Sequence, residues 1–312
     1  MRIFITGGTG FIGFHLVKIL LEQNHELMIL TRKDLSFLKQ LWGSEAVERI
    51  HYVQSDINTV EKYRSEVINF NPELVYHLAW EGIPEYGPKM SKLNLENGLK
   101  IFSLAVETEA RAVISTGSCF EYGTSNGILQ GELDEESPAM PRDSLSAART
   151  ALRIIGQDLA KEKGCDFIWP RLFYVYGPRQ REKSLIPSII SSVIAGKQPE
   201  VKTPFYKQDF VYVSDVADAL YSFVEYYSEN SAVHINGIYN IGSGKSTQVQ
   251  EIVQKVGLFF GQDYPLRTDL PEKVVDFWSN CDKLEKLTGW KPKTSLDNGI
   301  KEMCQTAREM RS

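Results

Sequence analysis

Short apolar runs alternate with stretches of helical periodicity through the first half of the chain. Ile3–Thr6, Glu26–Leu30, His51–Gln54, Leu74–Ala79 and Ala112–Thr116 read as strands. A helix is expected over Ile12–Gln23, and helical stretches separate most of the other strands. Leu74-Val75-Tyr76-His77-Leu78-Ala79 is apolar almost throughout, the pattern of a strand covered by helices on both faces. The rhythm predicts βαβ units and an α/β fold with a doubly wound, mostly parallel sheet. After about residue 170, proline and glycine punctuate shorter elements, as in Tyr176-Gly177-Pro178 and at Gly237. Asp209–Val213 reads as a further strand, followed by a helix starting near Ser214-Asp215. The expected organisation is one large α/β domain over residues 1–170, rejoined by about 205–230, with the remainder of 171–312 forming a smaller α/β lobe at the carboxyl edge of the sheet.

A chain of 312 residues is long enough to bury one large core or two that share a boundary. Its apolar share of 42% and charged share of 24% are those of an ordinary globular protein, which argues against disorder. The formal charge of −5 is spread without long runs of either sign, so neither nucleic acid nor a membrane surface is an expected partner. Cys119, Cys165, Cys281 and Cys304 show no metal-like spacing and no CxxC pair, so no metal site is expected. They read as reduced thiols of a cytoplasmic protein. The chain opens directly on a strand, with no expected signal peptide, and no apolar run approaches membrane-spanning length.

The first chemistry-bearing motif is Gly7-Gly8-Thr9-Gly10-Phe11-Ile12-Gly13, a GxxGxxG spacing that follows a strand and opens a helix. Gly7, Gly10 and Gly13 suit a tight turn, close approach of the backbone to a pyrophosphate, and close packing of helix on strand. The helix N-terminus then presents its N–H groups to phosphate oxygens. A nicotinamide dinucleotide is the expected ligand, with Thr9, Phe11 and Ile12 in the same loop. The second strand ends Leu30-Thr31-Arg32-Lys33, with no acid at the place that meets a ribose 2′-hydroxyl. Arg32 and Lys33 suit a 2′-phosphate, so NADP(H) is favoured over NAD(H).

Further matches follow along the chain: Asp56-Ile57, His77-Leu78-Ala79, Asn94, Arg171–Pro178, Leu185-Ile186-Pro187, Asp209–Ala217, Tyr239-Asn240-Ile241-Gly242 and Gly289-Trp290-Lys291-Pro292. In this order, with the glycine loop, they resemble the extended short-chain dehydrogenase/reductase family over nearly the whole chain, especially its nucleotide-sugar epimerases, reductases and dehydratases. The resemblance implies that Asp56-Ile57 flank the adenine. It also implies that Leu78, Ala79 and Ser115 line the cofactor, and that Ser118 meets a substrate hydroxyl. The dehydratase subset carries an Asp-Glu pair where this chain has Cys119-Phe120, which argues against a dehydratase. It further implies a homodimer built on helices near Leu93–Glu107 and Leu145–Lys161.

The family's proton-transfer pair, a tyrosine followed four residues later by a lysine, is absent. Leu145 and Arg149 stand in those places, and no tyrosine in the chain has Lys or Arg four residues later. In one reading, Arg149 still grips the nicotinamide ribose and another group moves the proton, the candidates being Ser118, Cys119, Glu121, Tyr122 and Tyr174. The enzyme is then a nucleotide-sugar 4-keto reductase or epimerase acting on a nucleoside-diphosphate hexose. In a second, the fold binds NADP(H) without turnover. A third reading is a reductase of a non-sugar carbonyl.

Other features have simpler readings. Gly242-Ser243-Gly244-Lys245-Ser246 lacks the first glycine of a P-loop and reads as a strand-turn-helix connection capped by Ser246 or Thr247. His77 reads as a hydrogen-bonded core histidine and Arg171 as half of a buried ion pair, while Trp169, Trp278 and Trp290 read as packing residues. Arg179, Gln180, Arg181 and Lys183 lie either on a substrate diphosphate or in a solvated loop.

Overall fold

A computed structural model describes residues 1–83, 87–123, 130–230, 233–266 and 274–309. In chain order the first elements are β1 (Arg2–Thr6), α1 (Phe11–Glu22), β2 (Glu26–Thr31), α2 (Leu35–Trp42), α3 (Ser44–Glu48) and β3 (Ile50–Gln54). There follow α4 (Arg64–Phe70), β4 (Leu74–His77), α5 (Pro88–Glu107), β5 (Ala112–Ser115), β6 (Gly117–Ser118) and β7 (Gln130–Leu133). The middle holds α6 (Ser144–Glu162), β8 (Asp166–Leu172), β9 (Tyr174–Tyr176), α7 (Leu185–Ile194), β10 (Lys207–Tyr212) and α8 (Val213–Glu229). The chain closes with β11 (Gly237–Ile241), β12 (Ser246–Gln248), α9 (Val249–Phe259), β13 (Asp276–Ser279), α10 (Asp282–Thr288) and α11 (Leu296–Glu309).

The larger sheet has the order β11-β8-β5-β4-β1-β2-β3, with β6 beside β8. The pairs from β3 through to β8 are parallel, with Ile3 opposite Leu27 on one side and Leu74 on the other. Strands β1, β2, β4, β5 and β8 are buried along nearly their whole length because helices lie over them, while the edge strand β3 is partly exposed. Phe4, Val75, Val113 and Phe167 pack with Ile101, Phe102 and Leu152 of α5 and α6 in one continuous core. The buried Tyr76 hydroxyl donates to the Leu220 carbonyl at 2.8 Å.

The chain divides into two compact units. The first comprises residues 1–121, 138–171 and 217–239, and the second 122–137, 172–216 and 240–312. The chain returns to the first unit at 217, after β10, which pairs with β12, β13 and β9 in the second unit. Residues 122–137 leave the first unit because β7 adds to β13 there, with Leu133 opposite Ser279. The second unit's sheet runs β12-β10-β13-β7, with β9 also on β10. Its core joins Ile186, Ile190 and Val193 of α7 to Phe210, Ile252, Val256 and Met303.

Candidate functional site

In the first unit β1 lies between β4 and β2, so the strand order changes direction at β1 and leaves a crevice at the carboxyl ends. The glycine loop occupies that place. Gly7 has φ +78°, and a Cβ there would lie 2.6 Å from the Ala79 amide nitrogen. A Cβ on Gly13 would lie 2.2 Å from the Gly7 carbonyl oxygen and 2.7 Å from Gly8 Cα. All of these are backbone atoms, so a side chain at either position forces the loop open. Gly10 is the N-cap of α1 and makes no side-chain cap bond; the first turn carries no acidic residue. The leading N–H groups of a twelve-residue helix are therefore left for an external acceptor, and a pyrophosphate suits them. The residues present fit a dinucleotide.

The end of β2 carries two cations that meet other groups of the protein. Arg32 Nη1 lies 2.8 Å from Glu81 Oε1 and 3.9 Å from Asp56 Oδ2. Lys33 Nζ sits 4.9 Å from the centre of the Phe37 ring. Asp34 caps α2 by accepting from the Phe37 amide at 2.9 Å. Both cations are thus engaged within the protein, and two carboxylates meet the one guanidinium. That arrangement does not favour a 2′-phosphate. The Thr31 and Thr9 hydroxyls lie 3.4 Å apart, linking the glycine loop to the end of β2. Asp56 accepts from the Asn58 amide at 3.0 Å, while the Ile57 carbonyl accepts from the buried Tyr63 hydroxyl at 2.9 Å.

At the ends of β4 and β5 the structure brings together His77, Trp80, Ser115, Thr116 and Arg149. Leu78 continues the ladder by donating to the Thr6 carbonyl at 3.0 Å. His77 is buried, with Nδ1 2.8 Å from the Thr6 hydroxyl, and burial beside Arg149 pushes its pKa down to about 3. It is a neutral core residue, as expected. Ser115, paired in register with His77, is also buried. Arg149 is 9% exposed, donates to the Thr116 carbonyl, and has its guanidinium carbon 4.1 Å from the centre of the Trp80 ring. It ties α6 to the segments that follow β4 and β5. Leu145 is buried within the first turn of α6, whose start is fixed by an Asp143–Ser146 capping box.

Glu121 organises the loop that carries Ser118. It is fully buried, 3.3 Å from Arg171 Nε and 3.7 Å from Arg153 Nε, and it accepts from Trp169 Nε1 at 2.8 Å and from the Ser118 amide at 2.9 Å. Arg171 is half of a buried ion pair, as expected, and Trp169 is a donor as well as a packing residue. Ser118 is half-buried, its hydroxyl accepting from the Phe120 amide at 3.3 Å; Cys119 is buried. Tyr122 and Tyr174 belong to the second unit. The Tyr122 hydroxyl is buried and donates to Asn240 Oδ1 at 2.7 Å. The half-buried Tyr174 ring lies against Phe210 and Phe277.

The glycine turn after β11 is filled from within. The fully buried Asp209 carboxylate accepts from the Ser243 amide at 2.7 Å, the Gly244 amide at 3.1 Å and the Ser279 amide at 3.0 Å. The amides a P-loop would turn toward phosphate are spent on a side chain. The cap of α9 is Gln248, in a capping box with Glu251, rather than Ser246 or Thr247. Ser246 instead donates to Asp276 at 2.7 Å within the sheet. Trp290 donates to the Asp215 carbonyl at 3.0 Å, and Gln180 donates to the Val175 carbonyl at 2.9 Å.

A cleft of about 650 Å³ opens at the other end of the larger sheet, beside Arg111, Asp166, Tyr227 and His234. Its carboxylate is already saturated, accepting from the Tyr227 hydroxyl at 2.6 Å and from the Ile235 amide at 2.8 Å. Ligands of such sheets sit at the opposite, carboxyl ends. Among the described residues no cluster of side chains could hold a metal ion, and no helix is long and apolar enough to cross a membrane.

A parallel sheet with a glycine-lined helix start at its switch point defines a Rossmann-type dinucleotide-binding protein. Residues 3–242 match the NAD dependent epimerase/dehydratase family. The chain belongs to that family. It is 26% identical over 321 residues to a putative UDP-glucose 4-epimerase of Methanocaldococcus jannaschii, with 96% of each chain covered. Its fold is shared by the UDP-glucose 4-epimerase of Thermotoga maritima, solved with UDP-glucose (TM-score 0.83, 21% identity, 100% of both chains). The dTDP-glucose 4,6-dehydratase of Bacillus anthracis, solved with NAD, is similar too (TM-score 0.81, 21% identity, 99% of this chain and 97% of that one).

Proposed function

We propose that this protein is a nucleotide-sugar 4-keto reductase or epimerase that binds NAD(H) and a nucleoside-diphosphate hexose. The observation that carries the reading is the side-chain-free start of α1 at the switch point, in a chain that belongs to the epimerase/dehydratase family. Relatives named for UDP-glucose and dTDP-glucose support the substrate class. Gly7, Thr9, Gly10, Phe11, Ile12 and Gly13 hold the pyrophosphate, while Asp56 and Ile57 flank the adenine. Leu78, Ala79 and Ser115 line the path beyond. The dinucleotide, when bound, supplies hydride transfer.

With Leu145 in the tyrosine place, the proton must move on another group. The Glu121 carboxylate is held by Arg171, Arg153 and Trp169, and the Tyr122 hydroxyl by Asn240. Cys119 is buried. Ser118 in the first unit and Tyr174 in the second are the half-buried hydroxyls among the candidates. We assign the proton to Ser118 Oγ, with Arg149 fixing the backbone beside it through the Thr116 carbonyl. General acid/base help of this kind is worth about 10²–10⁴ in rate.

Incubation with NADH and a panel of 4-keto nucleotide sugars, and with NAD and the corresponding hexoses, tests the assignment. Turnover abolished in Ser118→Ala with NADH affinity retained supports it. Absence of turnover across the panel, with tight NADH binding, favours the second reading, a binding protein that kept the fold and lost the chemistry. The buried Leu145 and the engaged Arg149 are what favour that alternative. A homodimer through α5 and α6 is also proposed. These helices pack together, and Ile154 and Ile155 of α6 are 48% and 41% exposed. Light scattering showing a stable monomer would reject it.

A further inference from the structure

We propose that Glu81 sets the choice of dinucleotide, by holding Arg32 on a carboxylate and so denying it to a 2′-phosphate. The inference rests on the reading that the first unit binds a nicotinamide dinucleotide, and it reverses the selectivity that the sequence of the β2 end implies.

Arg32 follows β2 directly, at the place from which a side chain reaches the 2′-position of an adenosine ribose. Its guanidinium is 64% exposed, yet Nη1 is 2.8 Å from Glu81 Oε1 and 3.9 Å from Asp56 Oδ2. With a second acid alongside, the guanidinium sits in a locally negative environment. A 2′-phosphate, carrying close to two negative charges, would have to displace one carboxylate and approach the other. A ribose hydroxyl faces no such conflict, because it donates to a carboxylate.

Glu81 is held in position by its own backbone. The Asn94 side chain is buried; its Oδ1 accepts from the Glu81 amide at 2.7 Å and its Nδ2 donates to the Glu81 carbonyl at 3.0 Å. The same Nδ2 donates to the Met90 carbonyl at 2.8 Å, which fixes the amide to α5. Gly82 follows at φ +80°, where a Cβ would strike the Met90 side chain at 2.3 Å. The residue that carries the carboxylate is therefore anchored on both sides. Arg32 is the more exposed partner, and the anchored Glu81 holds it.

An exposed ion pair contributes little stability. The consequence is for selectivity: the same guanidinium cannot serve a carboxylate and a phosphate with equal geometry, and a charge-assisted bond to a phosphate is among the stronger side-chain contacts. Removing the carboxylate releases the arginine and removes a repelling charge together.

Equilibrium titration of NADH and NADPH by their fluorescence, on the full chain, tests the proposal without any turnover. The wild type is expected to bind NADH more tightly than NADPH. Glu81→Gln is expected to strengthen NADPH binding about tenfold relative to NADH. Glu81→Ala, which cannot re-form a hydrogen bond to Arg32, serves as the second variant and should shift the ratio in the same direction. Adding Arg32→Ala to either should cancel the gain. A wild type that prefers NADPH overturns the proposal, as does a NADH-to-NADPH ratio unmoved in both Glu81 variants; in that second case NADH binding itself leaves the dinucleotide reading standing. Binding of neither nucleotide overturns the dinucleotide reading, and the role of Glu81 with it.

Discussion

Replacing Glu121 by alanine should unfold the first unit far more easily than its single side chain suggests. The carboxylate is fully buried, accepts from Arg171 Nε at 3.3 Å, Trp169 Nε1 at 2.8 Å and the Ser118 amide at 2.9 Å, and pairs with Arg153 at 3.7 Å. Arg153 is 15% exposed and can turn toward water, but Arg171 is 1% exposed and cannot. Taking one partner from a buried ion pair costs about 3–5 kcal/mol. The Trp169 and Ser118 donors lose their acceptor as well. Relief by collapse is limited, because Gly117 already approaches this cluster so closely that a Cβ there would lie 2.2 Å from Trp169 Nε1. Urea unfolding followed by tryptophan fluorescence reads the loss, with Trp169 inside the perturbed cluster. Glu121→Gln keeps the shape but turns an amide donor toward arginine, so it too should lower the midpoint. The Glu121→Ala chain should also turn over more slowly, since the Ser118 backbone loses a tether. A destabilisation below about 1 kcal/mol in Glu121→Ala would refute the argument, since it would mean that the pair and its hydrogen bonds contribute no net stability.

Three further outcomes are expected. Gly13→Ala places a methyl 2.2 Å from the Gly7 carbonyl oxygen, so NADH affinity measured by titration should fall at least tenfold, a loss of about 1.4 kcal/mol, while circular dichroism still reports the α/β fold. His77 has a folded-state pKa near 3 against 6.5 unfolded, so the unfolded chain takes up the proton first. Its contribution is complete above about 6.5 and is lost as pH falls toward 3, at up to about 1.4 kcal/mol per pH unit. His77→Gln should flatten that part of the stability profile, and an unchanged slope would show that the histidine is not held neutral. Asp209→Ala leaves the Ser243, Gly244 and Ser279 amides without their acceptor, and urea titration should show a loss of about 1–3 kcal/mol.

How far the sequence speaks for the site depends on whether a signal is local or requires two distant segments. The glycine loop is largely local: strand, three glycines and helix follow one another within Arg2–Glu22 and Gly13 abuts the Gly7 and Gly8 backbone, so the spacing is legible along the chain, whereas the Ala79 backbone that Gly7 abuts is not. The same holds for the parallel strands, whose apolar runs are long enough to mark burial on both faces. The surroundings of Arg32 are illegible for the opposite reason. Read along the chain, Thr31-Arg32-Lys33 is a cationic strand end awaiting a phosphate; the carboxylates that meet Arg32 come from residues 56 and 81, after β3 and β4, and only the sheet order brings them beside β2. Glu121 is hidden in the same way, since its partners lie on α6 and β8 and nothing near residue 121 announces them. Arg149 combines both cases. Its place four residues after Leu145 is legible, whereas its commitment to the Thr116 carbonyl and the Trp80 ring is not. A lysine ammonium is a compact point charge that reaches into a site, whereas a guanidinium can stack on an indole and donate in its own plane at once. The change from lysine to arginine and the indole beneath it therefore belong to one physical arrangement, and substituting Trp80→Ala should release Arg149 in a way that no substitution at Leu145 can.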